Sequence, residues 1–152
     1  MPRTYSELYI SVRNRLRDAG IEAAELEGKL IVATAAGKTT EKLLRDMRFY
    51  ATDEVERRVD SMLRRRLAGE PVAYITGIWE FRGLPMEVNP SVLIPRVDTE
   101  VLAETAINWL HGRKMDARVL DLCSGSGCIG CALAENIDLS GLSDDELLTL
   151  EN

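Results

Sequence analysis

The sequence runs to 152 residues, 45% hydrophobic and 29% charged, with a formal net charge of −6. That is the make-up of an ordinary globular chain, enough for one medium domain or two small ones, and it excludes a disordered or fibrous protein. No stretch approaches the roughly 18 consecutive apolar residues of a membrane-spanning helix, and no basic-then-apolar signal opens the chain, so a cytoplasmic protein without membrane contact is expected.

From Thr4 to about Ala68 the pattern is helical. Thr4 and Glu7 stand in capping-box spacing, Leu8, Val12 and Leu16 share one face, and Gly20 stops the first helix. A second helix is expected from about Glu22 to Ala36, burying Ala23, Leu26, Leu30 and Ala33, with Gly37 as its terminator. A short third helix follows near Thr40 to Arg48. The fourth starts at Thr52 as N-cap, has Asp53 and Glu54 where carboxylates suit the helix dipole, and turns Val55, Val59, Met62 and Leu63 inward until Gly69. Single apolar faces joined by short links predict a small antiparallel helical bundle. The basic run Arg64-Arg65-Arg66 reads as a solvated helix end, and an acidic chain without a long basic stripe argues against duplex nucleic acid as the main partner.

Beyond Gly69 the texture changes. Tyr74 to Phe81 is rich in β-branched and aromatic residues, Arg82-Gly83 makes a turn, and Leu84 to Val88 is extended again, which reads as a β-hairpin. Pro71, Pro85, Pro90 and Pro95 forbid a continuing helix. A new helix is expected from Asp98 or Thr99 to about Gly112, with Val101, Leu102, Thr105, Ala106 and Trp109 on its inner face. The fold class predicted is α+β.

From Arg118 a short apolar strand is expected, ended by the acid Asp121 and running into the glycine-rich turn Cys123-Ser124-Gly125-Ser126-Gly127, with a helix from there through Ala134. Gly125 and Gly127 allow a sharp turn and a close approach of ligand to main chain. The loop lacks the Lys-Ser/Thr pair of a phosphate-binding P-loop and is read as departing from the full dinucleotide fingerprint, so neither ATP nor NAD is favoured. The cysteines Cys123, Cys128 and Cys131 crowd into one segment, which makes no disulfide framework; Cys128 and Cys131 with His111 raise a zinc site, but no second ligand pair follows and no metal is expected.

The acid, the small residues and the two glycines resemble the first motif of S-adenosylmethionine-dependent methyltransferases. Two further segments narrow that likeness. Arg64 through Gly77, with Glu80-Phe81-Arg82-Gly83, resembles the linker signature of the HemK (PrmC) family, the protein-(glutamine-N5) methyltransferases acting on class I peptide-chain release factors. Ile94-Pro95-Arg96-Val97-Asp98-Thr99-Glu100 is similar to the element that introduces that family's catalytic domain. The resemblance covers about Tyr5 to Ile137. It implies a helical substrate-binding domain over 1–70, a β-hairpin linker over 71–93, and over 94–137 the incomplete start of a Rossmann-like methyltransferase domain. It further implies that Asp121, Cys123, Ser124, Gly125, Ser126 and Gly127 line an S-adenosyl-L-methionine site, with Arg96 and Glu100 near its edge. Cys123 stands where many members have glycine. The implied reaction is methylation of the glutamine of a Gly-Gly-Gln motif, with a release factor as partner and no direct DNA binding.

The family's acceptor loop, Asn-Pro-Pro-Tyr, is not in this sequence, so no catalytic residue is assigned and the chain is expected to be inactive by itself. Residues 138–152 read as an acidic tail outside the family pattern, holding Asp138, Asp144, Asp145, Glu146 and Glu151, so a truncated, internally deleted or recombined member is expected. One strand cannot make a doubly wound sheet, so exposed apolar surface is expected around Val119 to Leu122. Two other readings stay open: a helical module that binds a release factor without chemistry, and a fragment of a nucleic-acid amino-methyltransferase.

Overall fold

The computed structural model describes residues 2–111 and 118–136. The chain divides into two compact units, Met1–Gly77 and Ile78–Asn152.

The first unit is helical. Helix α1 spans Tyr5–Asp18 and begins with the expected capping box: the Glu7 N–H donates to the Thr4 hydroxyl at 3.2 Å, and the Thr4 N–H donates to Glu7 Oε2 at 2.7 Å. The reciprocal bonds satisfy two backbone donors that a helix start otherwise leaves open. Leu8, Val12 and Leu16 are buried as expected, and the chain leaves the helix through Gly20 at φ +78. Helix α2 spans Ala24–Ala35, α3 spans Thr40–Arg45 under a Thr39 cap, and α4 spans Asp53–Leu67 under a Thr52 cap. Val59, Met62 and Leu63 of α4 are buried, and Val55 is half-buried.

The inner face of α2 is not the one expected. Ala23 and Leu26 are exposed, Leu30 is half-buried, and the buried set is Ala24, Glu27, Gly28, Ile31, Val32, Ala33 and Ala35. Two contacts turn the helix this way. The Glu27 carboxylate receives both Nε and Nη2 of Arg66 on α4, at 2.6 and 3.2 Å. Gly28 lets α1 come close, since a Cβ there would lie 3.4 Å from the Tyr9 ring and 3.5 Å from the Arg13 main chain. A buried ion pair and a glycine contact carry no apolar signal, so hydrophobic periodicity skipped both.

Val72–Thr76 forms a short helix, α5, where a strand was expected from Tyr74. Pro71 sets its start, and Gly77 at φ +77 closes it by donating to the Ala73 carbonyl at 2.8 Å. Val72, Ala73 and Ile75 are buried, and α5 packs on α2 and α4, so tertiary burial overrides the β-propensity of Tyr, Ile and Thr.

The second unit opens with the hairpin. Strand β1, Ile78–Phe81, pairs antiparallel with β2, Leu84–Glu87, in the register Phe81 opposite Leu84 and Ile78 opposite Glu87. Its two-residue turn holds Arg82 at φ 50 and Gly83 at φ 79, the pair of left-handed residues that a type I′ turn requires. Helix α6 spans Val97–His111 and buries Ala103 and Ile107, while Val101, Leu102 and Trp109 of the expected inner face are more than half exposed. The helix is apolar on two sides, so periodicity could not tell which one the fold uses.

Arg118–Asp121 belongs to no strand ladder among the described residues; an extended segment becomes a strand only when a neighbour completes its hydrogen bonds. Val119, Leu120 and Leu122 are exposed, as expected from the sequence. Helix α7 spans Cys128–Glu135, packs on α6, and is tied to it where His111 Nε2 lies 2.8 Å from the Asn136 carbonyl oxygen. The expected acidic helix within 138–152 lies outside the described residues.

Candidate functional site

The glycine loop leaves Asp121 and enters α7, and its shape is set by three left-handed residues: Cys123 at φ 61, Gly125 at φ 60 and Gly127 at φ 74. Alternating left-handed backbone folds the chain tightly and leaves main-chain amides unshielded by side chains. A Cβ on Gly127 would meet nothing within 4 Å, and one on Gly125 only the Cys123 carbonyl at 3.9 Å. Among the described residues, the space beside both glycines is open. Cys123, Ser124 and Gly125 are exposed, while Ser126 and Gly127 are half-buried. Among the described residues, therefore, no neighbouring side chain seals the loop, and its main chain lies bare.

Asp121 holds the cradle in place. Its Oδ2 accepts from the Gly130 N–H at 3.1 Å, joining the residue before the loop to the first turn of α7. The bond satisfies one of the amides that a helix N-terminus leaves without an intrahelical partner and puts a carboxylate where the dipole favours it. A Cβ on Gly130 would sit 3.3 Å from that same oxygen. Gly130 is a residue that sequence reasoning missed, although it completes the spacing Gly125-x-Gly127-x-x-Gly130. The loop thus does match the Gly-x-Gly-x-x-Gly pattern, which the sequence analysis took it to depart from, and the third glycine lets α7 pack closely against Asp121.

Arg96 and Glu100 lie at the start of α6. Arg96 is exposed just ahead of α6, and its carbonyl accepts from Thr99 N at 3.0 Å. Glu100 Oε1 accepts from the Arg82 N–H at 3.2 Å, and Arg82 Nη1 lies 3.8 Å from Glu104 Oε2. Among the described residues no hydrogen bond or ion pair joins Arg96 or Glu100 to the loop. Cys128 is buried while Cys123 and Cys131 are exposed, and no group of three metal-ligating side chains occurs among the described residues. No helix among them is long and apolar enough to cross a membrane.

The described residues of the second unit thus hold a glycine loop that leads into the N-terminus of α7, and the first unit is helical. Residues 7–77 match the family described as the PrmC N-terminal domain. The chain is 42% identical over 127 residues to a release factor glutamine methyltransferase of Bordetella pertussis, covering 81% of this chain and 44% of that protein. It is 41% identical over 149 residues to one from Nitratidesulfovibrio vulgaris, covering 93% of this chain and 48% of the relative. With one from Escherichia coli it shares 38% over 113 residues, covering 74% and 40%. The chain belongs to the PrmC (HemK) family, and it spans about half the length or less of the curated relatives it matches.

Proposed function

We propose that the chain carries the substrate-side unit and the first cofactor-binding element of a release factor glutamine methyltransferase, whose reaction is transfer of a methyl group to the glutamine of a Gly-Gly-Gln motif in a class I release factor. The observation that supports this most is the Asp121 to Gly130 hydrogen bond, which holds open a main-chain cradle. The residues fit S-adenosylmethionine: an anchored carboxylate precedes the loop, unshielded amides suit the carboxylate of a methionine moiety, and Gly125 and Gly127 admit a close approach. Asp121, Cys123, Ser124, Gly125, Ser126 and Gly127 would line the site. Arg96 would stand at its edge, and Glu100 would act through the hairpin turn it holds. When bound, the cofactor supplies an electrophilic methyl on a sulfonium.

A glutamine amide is a poor nucleophile, so the reaction depends on holding its nitrogen in line with that methyl, an effect of position. The resemblance assigns that task to an Asn-Pro-Pro-Tyr loop, which these 152 residues do not contain. By themselves they are expected to bind without transferring. Calorimetric titration with S-adenosylmethionine tests the cradle: the chain should bind it, and Asp121→Ala or Gly127→Val should weaken binding at least tenfold. Equal heats from all three proteins would sink the proposal. A labelled-methyl assay on a purified release factor should show no incorporation.

A second reading, binding of a release factor without chemistry, draws support from the compactness of Met1–Gly77 as a unit matching the PrmC N-terminal domain. Capture of a release factor by the chain, with no cofactor heat, would favour it.

A further inference from the structure

The end of α3 and the turn that joins it to α4 carry an exposed apolar group. Within residues 44–50, Leu44 is 50% exposed, Phe49 63% and Tyr50 68%. The unit's other exposed large apolar residues, Ile10, Leu26 and Leu67, stand singly along the chain, which is ordinary for a protein surface. Two successive aromatic rings in water are not.

The main chain that presents the rings is fastened on both sides to the start of α1. The Tyr5 N–H donates to the Phe49 carbonyl at 3.0 Å, the Ser6 N–H to the Met47 carbonyl at 3.0 Å, and the Ala51 N–H to the Arg3 carbonyl at 2.8 Å. The Phe49 N–H donates to the Asp46 carbonyl at 2.9 Å and closes the turn. Aromatic side chains on a braced main chain lose little further freedom when a partner covers them, which is the make-up of an interface anchor. The charge around them has one sign. Lys42, Arg45 and Arg48 are exposed, and no exposed carboxylate lies within residues 42–50. The acids closest in sequence are engaged: Asp46 by Lys38, and Glu41 by its own main-chain N–H and the Thr39 side chain at the start of α3.

An apolar anchor beside cations is complementary to an acidic segment that carries an apolar side chain. A polyanion of uniform charge fits less well, because Asp53 and Glu54 are exposed in the first turn of α4, which follows Tyr50 closely, and repel a phosphate backbone or an anionic membrane. A protein segment can place its carboxylates one at a time. We propose that the α3–α4 turn is a docking surface for an acidic segment of a partner protein, with the Phe49 and Tyr50 rings covering its apolar side chain and Arg45 and Arg48 meeting its carboxylates. The surface belongs to the first unit alone and does not depend on the cofactor reading.

The test is selection of a phage-displayed library of random dodecapeptides on the immobilised full chain. The selected peptides are then measured against two variants, Phe49→Ser with Tyr50→Ser and Arg45→Glu with Arg48→Glu, each checked for folding by circular dichroism. The peptides should be enriched in Asp and Glu around a Leu, Phe or Trp, should bind either variant at least tenfold more weakly, and should weaken at high salt. No selected peptides, peptides without acidic enrichment, or affinities that neither variant changes would overturn the proposal, and a loss confined to the arginine variant would overturn the aromatic anchor. Vesicles of phosphatidylserine with phosphatidylcholine, and oligouridylate, should not bind; saturable binding of either one, abolished in both variants, would replace the protein partner by a membrane or an RNA. The arginine variant, altered only at exposed positions, decides the matter if the ring variant fails to fold.

Discussion

The Arg82 N–H donates to Glu100 Oε1 at 3.2 Å, so the turn of the β1–β2 hairpin is fastened to the first turn of α6. These residues belong to the two segments by which the sequence resembled a family, Glu80-Phe81-Arg82-Gly83 and Ile94 through Glu100. The segments touch. Arg82 needs the fastening because it is a non-glycine residue at φ 50, a conformation that costs roughly 1–2 kcal/mol for an L-residue. Glu100 offsets part of that cost.

Removing the acceptor should therefore loosen the hairpin more than the helix. Glu100→Ala is expected to destabilise the second unit by about 1–2 kcal/mol, the range for a hydrogen bond to a charged group less solvent exposure. Glu100→Gln, which keeps an acceptor oxygen, should cost less. Hydrogen exchange at the Arg82 amide reads this directly: faster exchange in the alanine variant is expected, and unchanged exchange would show that the bond does not hold the turn.

The ion pair between Glu27 and Arg66 is the most buried one in the first unit, with side-chain exposures of 11% and 19%. Its two hydrogen bonds join α2 to α4 across 39 residues of sequence. Truncating one partner strands the other charge, and Glu27→Ala is expected to destabilise the unit by about 3 kcal/mol. Replacing both, as Glu27→Leu with Arg66→Leu, should recover most of that loss because no charge is then left unpaired. Urea denaturation of the single and double variants decides the matter, and a double variant no better than the single would contradict the account.

How much of this could be read in advance depended on whether the information was local. The start of α1 was legible because Thr4 and Glu7 carry the whole capping box within one turn, and the hairpin turn because Arg82-Gly83 needs only its own two dihedrals. The face of α2 was not, since Glu27 is buried for the sake of Arg66 and Gly28 for the sake of Tyr9. Tyr74 to Thr76, the start of the segment expected as strand, folds instead within the helix Val72–Thr76 because Pro71 and Gly77 punctuate it and α2 and α4 cover it. At the site, the acid and first two glycines stood out in the sequence. Gly130 was legible as the third glycine of the Gly-x-Gly-x-x-Gly spacing and was passed over; only its close approach to the Asp121 carboxylate needed the structure.

The N-terminal segment gives a pH-dependent contribution of predictable sign. Arg3 donates from Nε and Nη2 to Glu56 Oε2, at 2.9 and 2.6 Å, and from its main-chain N to Oε1 at 3.1 Å. The side-chain bonds from Arg3 come first among the influences that hold the Glu56 carboxyl below its ordinary value of 4.5. A carboxylate depressed in the folded state stabilises fully above its unfolded value and loses that stabilisation as the pH falls through the folded one. Stability should therefore drop with acidification below pH 4.5, and Arg3→Gln should flatten that part of the curve. Denaturant midpoints taken across the acid range will show it, and a slope identical in the variant would exclude this pair as a cause.

Cys123 offers the most direct link between loop strain and the proposed site. It holds φ +61 without being glycine, in a loop whose other left-handed residues are both glycine. A left-handed L-residue costs about 1–2 kcal/mol, offset in part by the greater freedom glycine has in the unfolded chain. Cys123→Gly should raise stability by up to about 1 kcal/mol and leave the Asp121 to Gly130 bond intact, whereas Cys123→Val, branched at Cβ, should lower stability and distort the cradle. Thermal denaturation of the two variants, with hydrogen exchange at the Gly130 amide, separates these effects. If glycine proves neutral or destabilising, the cysteine makes a contact that compensates its strain; if Gly130 exchange rises in the glycine variant, the loop needs the stiffness of a side chain at 123 to keep its shape.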